Sequence, residues 1–192
     1  MARLIAFILF VFVCGCAISG RIVYDNILTS GYPPIKIKVD DEFFYLGNPS
    51  TGESGKTLDN FDLRGGRDAY LFSIPAKGKA ERFLAIEFKW TQGYFGGKLY
   101  EGVKAIRKEE VIFNGKKYQS CTMDFVPGQG SYLTKFTASR GIIFKPGFLK
   151  AYGRIWGANG STLINILYYE PLLGNTIDEF EKRADNSFKI VP

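Results

Sequence analysis

The chain has 192 residues, 46% hydrophobic, 23% charged and 16% aromatic, a globular composition that excludes disordered and collagen-like classes. A chain this long suits one domain and hides roughly 70% of the surface its unfolded form exposes, so folding needs neither disulfides nor a metal. The net charge is +6 and there is no histidine, which removes the commonest general base and the commonest metal ligand; an enzyme, a metal and a cofactor are not expected.

Arg3 is the only charged residue before Arg21, and residues 4–13 form an apolar run followed by Cys14, Gly15 and Cys16. A run of that length rises about 15 Å as a helix, about half of a hydrocarbon core, and so reads as an export signal rather than a membrane span. Val13-Cys14-Gly15-Cys16 resembles the lipobox of bacterial lipoproteins, in which an aliphatic residue and two small residues precede the lipidated cysteine. Cys14 is an uncommon variant at a small position, and the resemblance covers the first 16 residues alone. It implies a signal peptide over 1–15, cleavage before Cys16, a thioether-linked diacylglycerol on Cys16 and acylation of the freed amine. Two or more acyl chains anchor stably, at about 0.8 kcal/mol per buried methylene. Ala17 and Ile18 carry no acidic inner-membrane retention signal. The resemblance therefore implies a bacterial cell-envelope protein, outer membrane favoured, with its domain in the periplasm. Nucleic acid is not an expected partner of an exported chain.

Residues 16–34, with Gly20, Gly31 and Pro33-Pro34, read as a lipidated tether, and 35–192 as a single β-rich domain. Ile35, Ile37 and Val39 alternate with Lys36 and Lys38, and a turn near Asp40-Asp41 leads to residues 43–46, which predicts a hairpin. Residues 69–74 predict a strand, and Leu84, Ile86, Phe88 and Trp90 continue at period two. Residues 111–113 and 118–125 flank Asn114-Gly115, the strongest short hairpin signal because both residues tolerate positive φ. On that second strand Cys121, Met123 and Phe125 share an apolar face, so Cys121 reads as a buried small hydrophobe; with Cys16 lipidated it has no disulfide partner. Residues 132–138, 142–144 and 163–169 complete about eight strands, an antiparallel sandwich or barrel. One C-terminal helix is expected: Thr176 caps it with Glu179 three residues on, and Ile177, Phe180 and Ala184 share a face.

Candidate sites are few. Residues 50–57 end in Gly55-Lys56-Thr57 but place Ser50 where a phosphate-binding loop needs its first glycine, so the motif is broken. Residues 48–67 read as a long polar loop whose Asp59 and Asp62 pair with no identifiable second set of ligands. Between Phe125 and Tyr169 there is no acid, whereas Lys135, Arg140, Lys145, Lys150 and Arg154 are interleaved with aromatics, a candidate surface for an anionic glycan or lipid. Strand alternation yields the same composition without a ligand. Tyr94 and Phe95, in a glycine-bordered segment, are candidates for contact with a partner. These residues lead first to a membrane-anchored, non-catalytic binding or structural module, with an envelope protein as partner. The alternatives are a carrier of a lipid or other apolar ligand in a barrel or cleft, which a cavity of about 300 Å³ or more favours, and an envelope hydrolase using Asp59, Asp62 or Glu87.

Overall fold

The computed structural model describes residues 20–49, 54–56, 62–76, 79–91, 93–96, 98–127, 132–157, 160–172, 174 and 176–192. Period-two alternation produces twelve antiparallel strands among them: β1 Arg21–Tyr24, β2 Ile27–Gly31, β3 Pro34–Val39, β4 Phe44–Gly47, β5 Ser54–Lys56, β6 Asp62–Ala76, β7 Lys79–Thr91, β8 Arg107–Phe113, β9 Lys116–Phe125, β10 Gly147–Trp156, β11 Thr162–Pro171 and β12 Phe188–Val191. They form two sheets. The smaller runs β1-β2-β3-β12; the larger runs β4-β6-β7-β11-β10-β9-β8, with β5 paired to β6. Of the two expected architectures, antiparallel sandwich or barrel, the structure is sandwich-like, and the larger sheet does not close into a barrel.

The inter-sheet core is built from alternate residues of both sheets. Leu28, Ile37, Val39 and Phe188 of the small sheet meet Tyr70, Phe72, Ile86, Tyr152, Ile166 and Tyr168 of the large one, all buried. Odd and even positions on β11 are both buried because its two faces meet different layers. Its other face joins a second core with Ala69, Leu71, Phe83 and Ala85, covered in part by Phe136, Ile142 and Phe144.

The helix predicted after Thr176 is α2, Ile177–Asn186; α1 is Tyr132–Ala138. Thr176 accepts from the Glu179 amide at 3.3 Å while the Glu179 carboxylate accepts from the Thr176 amide at 3.1 Å, a reciprocal capping box. Phe180 and Ala184 then enter the inter-sheet core, and Asp178, Glu181 and Asp185 turn toward β8–β10.

Five expectations are corrected. Residues 21–31, read as tether, are β1 and β2. Asp25 and Asn26 both hold positive φ (49° and 55°), a two-residue turn of the same chemistry as Asn114-Gly115, and Leu28 is buried in the core. β3 and β4 do not form a hairpin. The Asp40 amide donates to Ser187 O and the Phe43 amide to Asp40 O, so the turn passes the chain from the small sheet to the large one. Residues 132–138, read as a strand, are α1, which ends where Gly141 (φ 71°) lets its amide bond to Ala138 O and the Ile142 amide to Thr137 O. Residues 142–144 are a loop apart from a single bridge. The loop expected over 48–67 contains β5 and the start of β6, paired from Ser54↔Arg64 to Lys56↔Asp62.

Cys121 is wholly buried opposite Ala151, and burial pushes its thiol above the ordinary range. Thiol reagents are expected to leave it unmodified in the folded domain and to label it once denaturant is added. Rapid labelling of the native domain would contradict this placement.

Candidate inter-sheet groove

The five basic residues do not form one strip. Lys135 and Arg140 belong to α1 and the turn after it. The Arg140 guanidinium sits 3.6 Å over the Phe136 ring, on the side of the second core. Lys145 is exposed in the loop beyond, where its backbone brackets the Tyr169 hydroxyl with bonds of 3.1 and 2.9 Å. Lys150 and Arg154 project from β10 on the opposite, inter-sheet face. Lys150 is only 1% exposed and is neutralised by Glu109 at 3.2 Å and Asp185 at 3.1 Å. It is a structural cation. Tyr94 is exposed as expected, its ring lying against Gly160, whereas Phe95 is half-buried. Cys16, Asp59 and the Asp62 side chain lie outside the described residues.

Glu87 is buried at 2% exposure and closed off by its neighbours. Lys89 Nζ stands 2.8 Å away, Asn165 Nδ2 donates at 3.1 Å, and the Tyr100 hydroxyl donates to Asn165 Oδ1 at 2.7 Å. The other buried carboxylates among the described residues are also engaged. Glu170 takes a bidentate fork from Arg183, with a closest contact of 2.8 Å, and a bond from the Tyr168 hydroxyl. Glu181 is held by Arg107 and the Thr122 hydroxyl, and the Tyr152 hydroxyl donates to Asp185 at 2.5 Å. This pairing is what makes their burial tolerable. Among the described residues no group of three or more carboxylates and thiols stands close enough to hold a metal ion.

One region is built differently. Where the small sheet splays from β9 and β10, a groove of about 320 Å³ opens between Pro34, Ile35 and Ile190 on one wall and Lys116, Tyr118, Arg154 and Trp156 on the other. Gly153 pairs with Gln119, so the next residues, Arg154 and Tyr118, are neighbours across the ladder, and alternation puts Lys116 and Trp156 on the same face. The Arg154 guanidinium stands 4.6 Å from the Trp156 ring and 5.8 Å from the Tyr118 ring. Tyr118 is 1% exposed, wedged against Phe113 at 5.4 Å, and its hydroxyl oxygen is buried without a hydrogen-bond partner. Burial raises its pKa, and the nearby Arg154, first as a donor toward the phenolic oxygen and then as a charge, pulls the other way. Arginine only donates, so even that neighbour leaves the phenolic proton without an acceptor. No acidic side chain lines the groove.

A second depression of about 420 Å³ along β8 mixes Lys98 and Lys108 with Glu101, Glu109 and Glu110, and its charges offset one another. Sequence reasoning singled out Arg154 but missed Lys116 and Tyr118 as its companions. The Asn114-Gly115 hairpin fixed the parity of β9; the opposite wall comes from β3 and β12, remote in the chain. Comparison with protein-family models, curated proteins and solved structures finds no match.

Proposed function

We propose that the chain is a lipid-anchored bacterial envelope protein whose sandwich is a non-catalytic binding module for a small ligand. The observation that supports the binding role best is the inter-sheet groove. Its wall carries Arg154 and Lys116, which have no ion-pair partner among the described residues, beside the buried Tyr118 hydroxyl, and its volume of about 320 Å³ falls at the lower end of small-molecule pockets. Among the described residues the buried carboxylates Glu87, Glu170 and Glu181 are paired with neighbouring cations, which supports a structural role for them. The anchor rests on the resemblance of Val13-Cys14-Gly15-Cys16 to a lipobox. Three residues, Ala17, Ile18 and Ser19, separate Cys16 from Gly20, so a lipid on Cys16 would hold β1 close to the surface that carries it.

A protein partner is the second reading, favoured by β1. It is an edge strand of the small sheet, and its outward Ile22 and Tyr24 are 67% and 81% exposed.

The anchor is tested by Cys16→Ser. This change is expected to abolish metabolic labelling by radioactive palmitate and to move the protein from the membrane to the soluble fraction, because the acyl chains supply the membrane affinity. Undiminished labelling in Cys16→Ser defeats the lipoprotein reading.

A further inference from the structure

We infer that the inter-sheet groove binds a phosphate ester carrying a short apolar tail, a deepening that rests on the reading of the groove as a ligand site. The polar side of the groove is donor-rich. Arg154 and Lys116 are cations with no ion-pair partner among the described residues, and the Tyr118 hydroxyl is a buried donor lacking an acceptor. A buried polar group without a partner costs about 1–3 kcal/mol, so a group that accepts from it gains more than an exposed contact offers. An anion answers all three donors at once.

The charge count selects the kind of anion. Three cations, Lys36, Lys116 and Arg154, and no acidic side chain line the groove. A carboxylate carries one negative charge, whereas a phosphate monoester carries about 1.5 to 2 at neutral pH and presents three acceptor oxygens. The planar guanidinium of Arg154 takes two of those oxygens in a fork, and Lys116 meets the head as a point charge.

The remainder of the groove is apolar. Trp156, Ile35 and Ile190 form its walls, and Ile35 and Ile190 are half-buried at the margin of the inter-sheet core. They give an alkyl or aryl tail of a few carbons a surface on which to shed water, at about 0.8 kcal/mol per methylene. The phosphate head with its tail comes either from a membrane lipid or from a soluble ester, and both satisfy the same residues.

The test uses the full lipidated chain in phosphatidylcholine nanodiscs. The chain has two tryptophans, Trp90 and Trp156, so a Trp90→Phe background makes Trp156 the reporting indole. Hexyl phosphate, dihexanoyl phosphatidic acid, inorganic phosphate and hexanol are titrated against fluorescence, with empty nanodiscs subtracted. Saturable quenching is expected with the first two, at least tenfold tighter than with inorganic phosphate or hexanol. Tighter binding of dihexanoyl phosphatidic acid assigns the ligand to lipid, and tighter binding of hexyl phosphate assigns it to a soluble ester. Arg154→Gln and Lys116→Gln should each weaken binding about tenfold, the loss of a charge-assisted contact. Tyr118→Phe should weaken it severalfold while leaving the melting temperature unchanged or raised, because it removes an unpaired buried donor; a merely structural hydroxyl would lower the melting temperature. Hexanol binding as tightly as hexyl phosphate overturns the phosphate assignment and leaves a binding groove. Absence of saturable quenching by any probe overturns both.

Discussion

Raising the pH above about 10, the ordinary tyrosine value, is expected to unfold the sandwich cooperatively. Tyr70, Tyr152 and Tyr168 are 5%, 0% and 0% exposed, and each holds its proton more tightly in the folded state than free tyrosine does. Burial is the main cause in all three. The Asp68 charge adds to it at Tyr70, which is pushed up to about 12; the Asp185 carboxylate adds to it at Tyr152, and the bond to Glu170 at Tyr168. Above pH 10 the unfolded chain releases these protons and the folded chain keeps them, so stability falls as pH rises. Below pH 10 both states are protonated and the stabilisation is fully present. Each such group contributes a slope of about 1.4 kcal/mol per pH unit, and three together about 4. Domains hold about 5–15 kcal/mol in all, so about one to four pH units suffice. Phenolate absorbance and far-ultraviolet circular dichroism should change together in a single transition. A phenolate signal complete near pH 10 over an intact β spectrum is the contrary result.

Phe180→Ala is expected to cost about 3–5 kcal/mol, the range for truncating a fully buried phenylalanine. Phe180 is 0% exposed and is the largest side chain that α2 sends into the inter-sheet core, packing at 5.4 Å from Phe148 and 5.6 Å from Tyr168. Beside Phe180 the helix contributes the smaller Ala184 and part of Ile177 to the core, and charged contacts join Asp178 and Glu181 to Arg107, Asp185 to Lys150, and Arg183 to Glu170. These orient the helix, but pairs that are partly open to solvent contribute little net energy. The cavity left at Phe180 therefore removes the largest favourable term at this contact. At about 2–4 °C per kcal/mol for a chain of this size, the melting temperature should fall by on the order of 10 °C. The urea midpoint should drop with an unchanged slope, and Phe180→Leu should lose less than half as much. A loss below about 1 kcal/mol in the alanine variant would show that α2 detaches without cost to the sandwich.

Strand parity and helix capping were legible because both are local. Leu84, Ile86 and Phe88 take one face of β7 for the same reason in the sequence as in the fold, and Thr176 and Glu179 meet over one helical turn in any context. The Asp25-Asn26 turn was equally local and was passed over, because the glycines and prolines around it read as a tether. The segment 132–138 was misread because a strand and a short helix both place aromatics beside lysines. What separates them is Phe136 packing with Phe144 and Ile142 on a surface the sequence does not announce.

The sequence by itself determined a mainly antiparallel β domain with a capped C-terminal helix and a buried Cys121, since period-two alternation, turn residues and capping spacing act over a few residues. Only the tertiary structure decided which cations are free to meet a ligand. Lys150 and Arg154 occupy equivalent positions on one face of β10, yet Lys150 is taken by Glu109 and Asp185 from distant elements while Arg154 opens into the groove beside Tyr118. Coulomb attraction and desolvation depend on distance in space, not along the chain, and α2, β8 and the small sheet reach β10 only when the sandwich closes.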